Sequence, residues 1–371
     1  MIKTLKALIS IPSYSGHEQE IQKCIKDYLA SSGVESFFQD DNLVVHLRGE
    51  NQTRAFIFNG HVDVVDIGDA EKWKHSPWGS EIEDGKIYGR GASDMKSGIA
   101  TMIETAKSLA SRDKIPTDVW FTFVVKEETD GQGTKQFAEW FKSKGYLNQY
   151  KELAAIFAEP TNLDTVQYGH RGNFFIQAEI TGISGHSSRP LALQPHVILQ
   201  FNDFVNVLTR QNSIWQKKFS ESDFMPPAIT PTSIEAKSES PNKTADYCRA
   251  SFDLRTIPGY HQEAFDKVQA LADEKGIKLS FLHDPSPIGY TKPDAKIVKV
   301  LQKVVPGIKT AINDASNDLG FFTNIGIEGV VFGPGDMSQA HRTDEYADID
   351  KITAAPAIFE TIYFAWAEDK K

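Results

Sequence analysis

At 371 residues, 40% of them hydrophobic and 24% charged, the chain is long enough for two domains, and it contains no apolar run near the ~20 residues of a membrane-spanning helix. A net charge of −10, with no cluster of Lys and Arg, argues against nucleic acid or an anionic membrane surface as a partner. Two cysteines, Cys24 and Cys248, leave neither a disulfide framework nor a thiolate metal site, so any metal must be held by nitrogen and oxygen.

The chain opens on "MIKTLKALISIPS", a short helical pattern without the apolar core and cleavage site of a secretory signal, which reads as the first helix of a cytoplasmic protein. Four apolar, β-rich runs follow at intervals and stop at polar residues: "RAFIFNGHVD", "VWFTFVVKEETD", "AAIFAEPT" and "EGVVFGPGD". Helical patterns such as "KSGIATMIETAKSLASR" and "GTKQFAEWFKSKG" lie between them. Together they predict an α/β fold, a mixed sheet flanked by helices, with ligands beyond the carboxyl ends of the strands. Residues 172–284 change pattern to β-α-β-β-α-β, the order of a ferredoxin-like α+β unit. They are expected to form a second domain inserted into the first, leaving 1–171 and 285–371 as one discontinuous domain. The chain returns through "PSPIGYTKP", whose Pro and Gly suit a hinge.

Polar residues at the ends of the four runs carry the candidate chemistry. His61 and Asp63 sit two residues apart, a spacing that on a strand sends both side chains to one side, so a carboxylate could fix an imidazole whose other nitrogen binds a metal. Alone, the pair is a weak signal and fits a hydrogen-bonded core histidine better. In "YGRGASDMKSGIAT" Asp94 stands where a glycine-rich loop enters a helix, a place for an N-cap or for a carboxylate offering one oxygen to each of two cations. Adjacent Glu127 and Glu128 end an apolar strand, either as a solvated turn or as a metal ligand beside a proton carrier. Glu159 is followed by Pro160, which ends its strand, and His341 follows a turn whose glycines, Gly333 among them, permit close approach of backbone to ligand. Taken jointly, the two histidines and three carboxylates make two sites sharing one acid: His61, Asp94 and Glu159, and Asp94, Glu128 and His341. Nitrogen and oxygen donors of this kind suit two divalent ions, zinc first, with cobalt or manganese in the same frame.

"NGHVDVV", "EKWKHSPWGSEIEDGKIYGRGASDMKSG", "KEETDGQGT", "AEPT" and "SGHSS", in this order, resemble the M20 metallopeptidases and deacylases, the group of acetylornithine deacetylase, succinyl-diaminopimelate desuccinylase, aminoacylase and carboxypeptidase G. The resemblance spans essentially the whole chain. It implies hydrolysis of the amide bond of an N-acyl amino acid, with His61, Asp94, Glu128, Glu159 and His341 as metal ligands, Asp63 as the acid that orients His61, and Glu127 as catalytic base. It further implies a cis peptide between Asp94 and Met95, a homodimer formed through the inserted domain, and His186 of "SGHSSRP" reaching the active site of the other subunit. Asn242, Arg255 and Gly333 are the implied substrate contacts, and an Arg suits a carboxylate clamp. Residues Phe56 to Gly98 read more like the desuccinylase, whereas "SGHSS" and "GPGDMSQAHRTDEY" read more like acetylornithine deacetylase. Where the desuccinylase carries a Gly-Thr-Ser-Asp loop this chain has "ASNDLGFF", so the expected substrate is a small N-acetyl amino acid.

Overall fold

A computed structural model describes residues 1–189 and 196–368. It divides the chain into two compact units: Met1–Gly169 with Gly289–Ala311 and Asn317–Lys371, and His170–Ile288 with Ile312–Ser316. The short return of 312–316 to the second unit has no counterpart in the sequence pattern.

In the first unit all four apolar runs are strands of one sheet, Asn51–His61, Thr117–Val124, Glu152–Phe157 and Glu328–Val331. They lie side by side in the order Thr117–Val124, Asn51–His61, Glu152–Phe157, Glu328–Val331, each pair parallel. Asn42–Leu47 joins Thr117–Val124 antiparallel, which makes the sheet mixed. Alternation along Asn51–His61 buries both faces. Phe56 and Phe58 pack with Ile99, Ile103, Phe359 and Tyr363 on one side, while Ala55 and Ile57 pack with Phe137, Phe141 and Phe322 on the other. Helices Lys96–Ala110 and Ile349–Glu368 cover the first face and Gln132–Ser143 the second. Because the four strands run the same way, their carboxyl ends, and the polar residues just beyond them, share one edge of the sheet.

The second unit is an antiparallel sheet in the order Ala228–Glu235, Tyr247–Thr256, Gly172–Thr181, Lys278–Phe281. Phe174, Ile176, Ala178 and Ile180 point into a core shared with Phe201, Phe204 and Trp215 of helix Val197–Lys218 and with Val268 of helix Gln262–Asp273. This is the ferredoxin-like order expected from the pattern. The helical pattern "QPHVILQFNDFVNVLTR" places the start of the first of these helices at Gln194, which lies outside the described residues.

Candidate metal centre and catalytic site

Strand ends bring the centre together. His61 closes Asn51–His61, Glu159 stands two residues beyond Glu152–Phe157, and His341 follows the turn after Glu328–Val331. Parallel register pins His61 beside Val124 and Asn59 beside Phe157, so the three connections leave the sheet at one level. His61 Nε2 lies 3.2 Å from Asp94 Oδ1, 3.5 Å from Glu159 Oε1 and 3.9 Å from Glu127 Oε2. His341 Nε2 lies 2.9 Å from Glu128 Oε2 and 3.6 Å from the other Asp94 oxygen, Oδ2. The Asp94 carboxylate thus faces one histidine with each oxygen. Ligand atoms of His61, Asp94 and Glu128 all lie within 4.8 Å of one another.

Four carboxylates, Asp94, Glu127, Glu128 and Glu159, are crowded here with little water. Glu159 is buried, and its carboxyl is pushed up to about 7 by that burial, against the pull of His61 and with the push of Asp94 and Glu128. Glu127 is raised well above the ordinary range, first by burial and then by Asp318, Glu159 and Glu128, with His61 opposing. Like charges packed this tightly and out of water need positive charge among them, and two imidazoles supply too little of it. A donor set of nitrogen and oxygen around such a deficit fits divalent cations.

Two sequence expectations change in detail. His61 Nδ1 lies 3.0 Å from the Asp63 backbone carbonyl and 3.5 Å from its carboxylate. A carbonyl only accepts, so Nδ1 carries a proton, and Nε2 is the nitrogen left to face the centre. The Asp63 backbone carbonyl thus joins its carboxylate in facing the ring, just past the end of the strand at His61. The Asp63 carboxylate, fully buried, also accepts the backbone N–H groups of Glu127 at 3.1 Å and Glu128 at 3.2 Å and the Ser15 hydroxyl at 2.6 Å. Burial alone would raise its carboxyl; bonds to His61 and Ser15 hold it below the ordinary range. The second change follows from the first. Glu127 and Glu128 are not neighbours on a strand, for the strand stops at Val124 and Lys126 turns the chain at φ +58°. They sit in a turn, both largely buried, and Asp63 sets their directions.

Asp94 is no N-cap: that place belongs to Met95, and the Asp94–Met95 peptide is cis. Gly333 does make a close approach, to protein backbone. A Cβ there would lie 2.5 Å from both the Ala158 and Glu159 carbonyl oxygens, and one on Gly98 would lie 2.0 Å from Ala158 O. Two glycines thus let neighbouring segments close on the Ala158–Glu159 peptide and hold Glu159 in place.

His186, Asn242 and Arg255 belong to the second unit. Their segments were singled out separately, and two of them pair: His186 bridges Lys243, and Ser187 N–H donates to Asn242 O at 2.9 Å. His186 is exposed, its Nδ1 2.7 Å from Ser188 Oγ. Arg255 is paired with Asp253 at 2.9 Å and donates to Ser316 Oγ at 3.3 Å. Ser316, in the "ASNDLGFF" segment, keeps a hydroxyl that in turn donates to Asn173 Oδ1.

Four residues near the centre escaped the sequence reading. Ser15 bonds Asp63, and Glu18 accepts the Lys126 N–H at 3.2 Å, so with Asp63 it fixes three successive amides of the glutamate turn. Asp318 is buried and bonded to Thr134 Oγ1 at 2.6 Å, its carboxyl pushed up to about 8 by burial. Glu345 is fully buried behind the Asp94 loop. None has a local signal: a buried acid reads as a surface acid until its partners are known.

Comparison with known proteins agrees with this geometry. The model of "Peptidase family M20/M25/M40" matches residues 57–364. A probable succinyl-diaminopimelate desuccinylase of Staphylococcus epidermidis is 25% identical over 99% of this chain and 98% of that protein. Among solved structures, an M20 family metallo-carboxypeptidase of Sulfolobus solfataricus superposes with a TM-score of 0.76 at 18% identity, covering 98% of each chain. A dinuclear metal-binding peptidase of family M20 from Bacillus subtilis superposes at 0.69 and 17% identity, over 98% of this chain and 96% of its own. With the family's pattern running through most of its length, the chain belongs to peptidase family M20/M25/M40 and is a hydrolase acting on amide bonds.

Proposed function

We propose that the protein is a metal-dependent N-acyl-amino-acid deacylase, with N-acetylornithine as its first substrate. The observation that carries the reading is Asp94, whose two oxygens face His61 and His341 separately. On this reading His61, Asp94 and Glu159 hold one divalent ion, and Asp94, Glu128 and His341 hold the other, zinc first, with cobalt or manganese accepted by the same donors. Bound there, the ions supply Lewis acidity toward the acyl carbonyl and lower the pKa of a water.

The chain's own residues do the rest. Glu127 takes a proton from the attacking water and returns it to the leaving amine nitrogen; a carboxyl raised by burial is suited to both halves of that transfer. Asp63 keeps Glu127 and Glu128 in separate roles by holding both of their amides. His186, supplied from the other subunit, donates to the oxyanion that develops on the acyl carbon. Asn242 and Arg255 meet the carboxylate and scissile group of the substrate. A dimer through the second unit is supported by its exposed apolar residues, Leu199 and Ile214 on helix Val197–Lys218 and Ile234 on the edge strand Ala228–Glu235. Among the described residues no helix is long and apolar enough to cross a membrane, and a cytoplasmic location is part of the proposal.

The acetyl preference rests on the "SGHSS" and "GPGDMSQAHRTDEY" segments, which enclose the acyl and side-chain ends of the substrate in this family. The name of the Staphylococcus epidermidis relative favours a second reading, a desuccinylase. Rates on N-acetylornithine, N-succinyl-diaminopimelate, other N-acyl amino acids and dipeptides, with elemental analysis of the same sample, test both. We expect the highest kcat/KM on N-acetylornithine. A ratio of ~10 or more toward the succinyl substrate, about 1.4 kcal/mol of transition-state binding, reverses the choice.

A further inference from the structure

Asp94 lies on neither a strand nor a helix. Its loop, Gly89 to Met95, runs between strand Lys86–Tyr88 and helix Lys96–Ala110. Sharing one carboxylate between two histidines demands placement within about half an ångström, which a loop does not maintain unaided. Glu345 meets that need. Its Oε1 accepts the backbone N–H groups of Ser93 at 2.8 Å and Asp94 at 3.0 Å, and its Oε2 accepts that of Gly91 at 3.0 Å and the Arg90 guanidinium at 2.8 Å. Four donors saturate a carboxylate, so Glu345 has no lone pair left for a metal or a substrate. Its own placement is set by backbone pairing. Tyr346–Asp348 pairs antiparallel with Lys86–Tyr88, and the Gly89 N–H donates to the Glu345 carbonyl at 2.9 Å. Arg90, 2% exposed, also donates to the carbonyl of Arg342, the residue after His341.

We propose that Glu345 is a positioning residue of the centre: it presets the Asp94 loop and, through Arg90 and its own place four residues after His341, couples Asp94 to His341. The inference rests on reading the cluster as a two-ion centre. Glu345 touches no ligand atom; it fixes the backbone from which one ligand projects and the segment that carries another. The loop is then built before metal arrives, and the cost of ordering it is met in folding and not in binding.

Two variants of Glu345, one control variant and one measurement on the wild type test it. Glu345→Gln puts an NH2 against two donors whichever way its amide is turned, while Glu345→Asp keeps both oxygens one methylene back. Calorimetric titration of chelator-stripped protein with Zn2+ alone is expected to show a 10–100-fold loss of affinity in Glu345→Gln, the usual range for partners of metal ligands, and a smaller loss in Glu345→Asp. The loss should fall mainly on one of the two ions, and kcat should recover as metal is raised to excess. Asp118→Asn serves as control, because Asp118 is another buried carboxylate that accepts a backbone N–H, from Gly49 at 2.9 Å, and should leave metal affinity unchanged. If the wild type binds no ion, the two-ion reading has failed. If it binds two, and folded Glu345→Gln binds them with wild-type affinity, or Asp118→Asn loses as much, the proposal is overturned. Should Glu345→Gln not fold, amide exchange in the metal-free wild type decides: protection at Gly91, Ser93 and Asp94 is expected, and free exchange there overturns the proposal.

Discussion

The candidate residues of the two units are held in opposite ways. Around His61 the acids are buried, and their directions are set by bonds from parts of the chain far apart in sequence: Asp63 with Ser15 and the Glu127 turn, Asp94 through Glu345. In the second unit His186 is exposed and its ring is bonded only two residues away, to Ser188, while Arg255 is tied to Asp253 on its own strand and to Ser316. A group of like charges can stay together only in a prebuilt frame, since the frame must overcome their repulsion. Groups that meet a substrate need freedom to close on it. On the proposed function, the difference separates what is built in advance from what is completed on binding.

The largest expected effect lies in the prebuilt part. Chelation should reduce activity to background, and Asp94→Ala should bring the metal content of dialysed protein well below two ions per chain, because one carboxylate faces both histidines. Elemental analysis checks it; full loading of Asp94→Ala would dissolve the contrast. Next, Glu127→Gln should lower kcat at least ~100-fold while keeping both ions, and Glu128→Gln should lose metal. The reverse pattern would exchange the two roles.

In the second unit the effect should appear in kcat alone. His186→Ala is expected to lower kcat about 100-fold, the lower end for a lost oxyanion donor, with metal content unchanged. Mixing it with Glu127→Gln chains should restore part of the activity if His186 acts across a dimer, and no rescue in demonstrably mixed dimers argues for action within one chain. A smaller effect is expected from the glycines behind Glu159. Gly98→Ala and Gly333→Ala each drive a methyl into the Ala158–Glu159 backbone and should destabilise by about 1–3 kcal/mol, read as a lowered Tm, with weaker metal binding.

The smallest effect is a matter of protons. His341 is raised above the ordinary histidine value, first by its bond to Glu128, and His61 is raised well above it, Glu159, Asp63 and Asp94 overcoming the lowering effect of burial. A histidine must lose its proton to ligate, so affinity should fall as pH falls through these raised values. Proton release on loading should persist above pH 6.5, and calorimetry in buffers of different ionisation heat measures it.

Sequence alone was enough for the sheet and most of the centre. Period-two burial in "RAFIFNGHVD" makes a strand with two apolar faces, and such strands must run parallel in a helix-covered sheet, so the polar residues that end them gather at one edge. His61, Glu128, Glu159 and His341 follow such strands and come together for that reason, while Asp94 reaches them from the loop before helix Lys96–Ala110. Only the tertiary structure decided which atoms face one another. A two-residue spacing told that His61 and Asp63 were close, but only the folded chain shows that the Asp63 backbone carbonyl also faces the imidazole and that the carboxylate accepts the amides of Glu127 and Glu128 as well. Glu345 stands in a segment quoted for its histidine and went unread, because its role consists of hydrogen bonds to amides some 250 residues earlier in the chain. Periodicity records which side of an element is buried; it does not record what a buried acid meets there, since that depends on contacts between elements that no local pattern encodes.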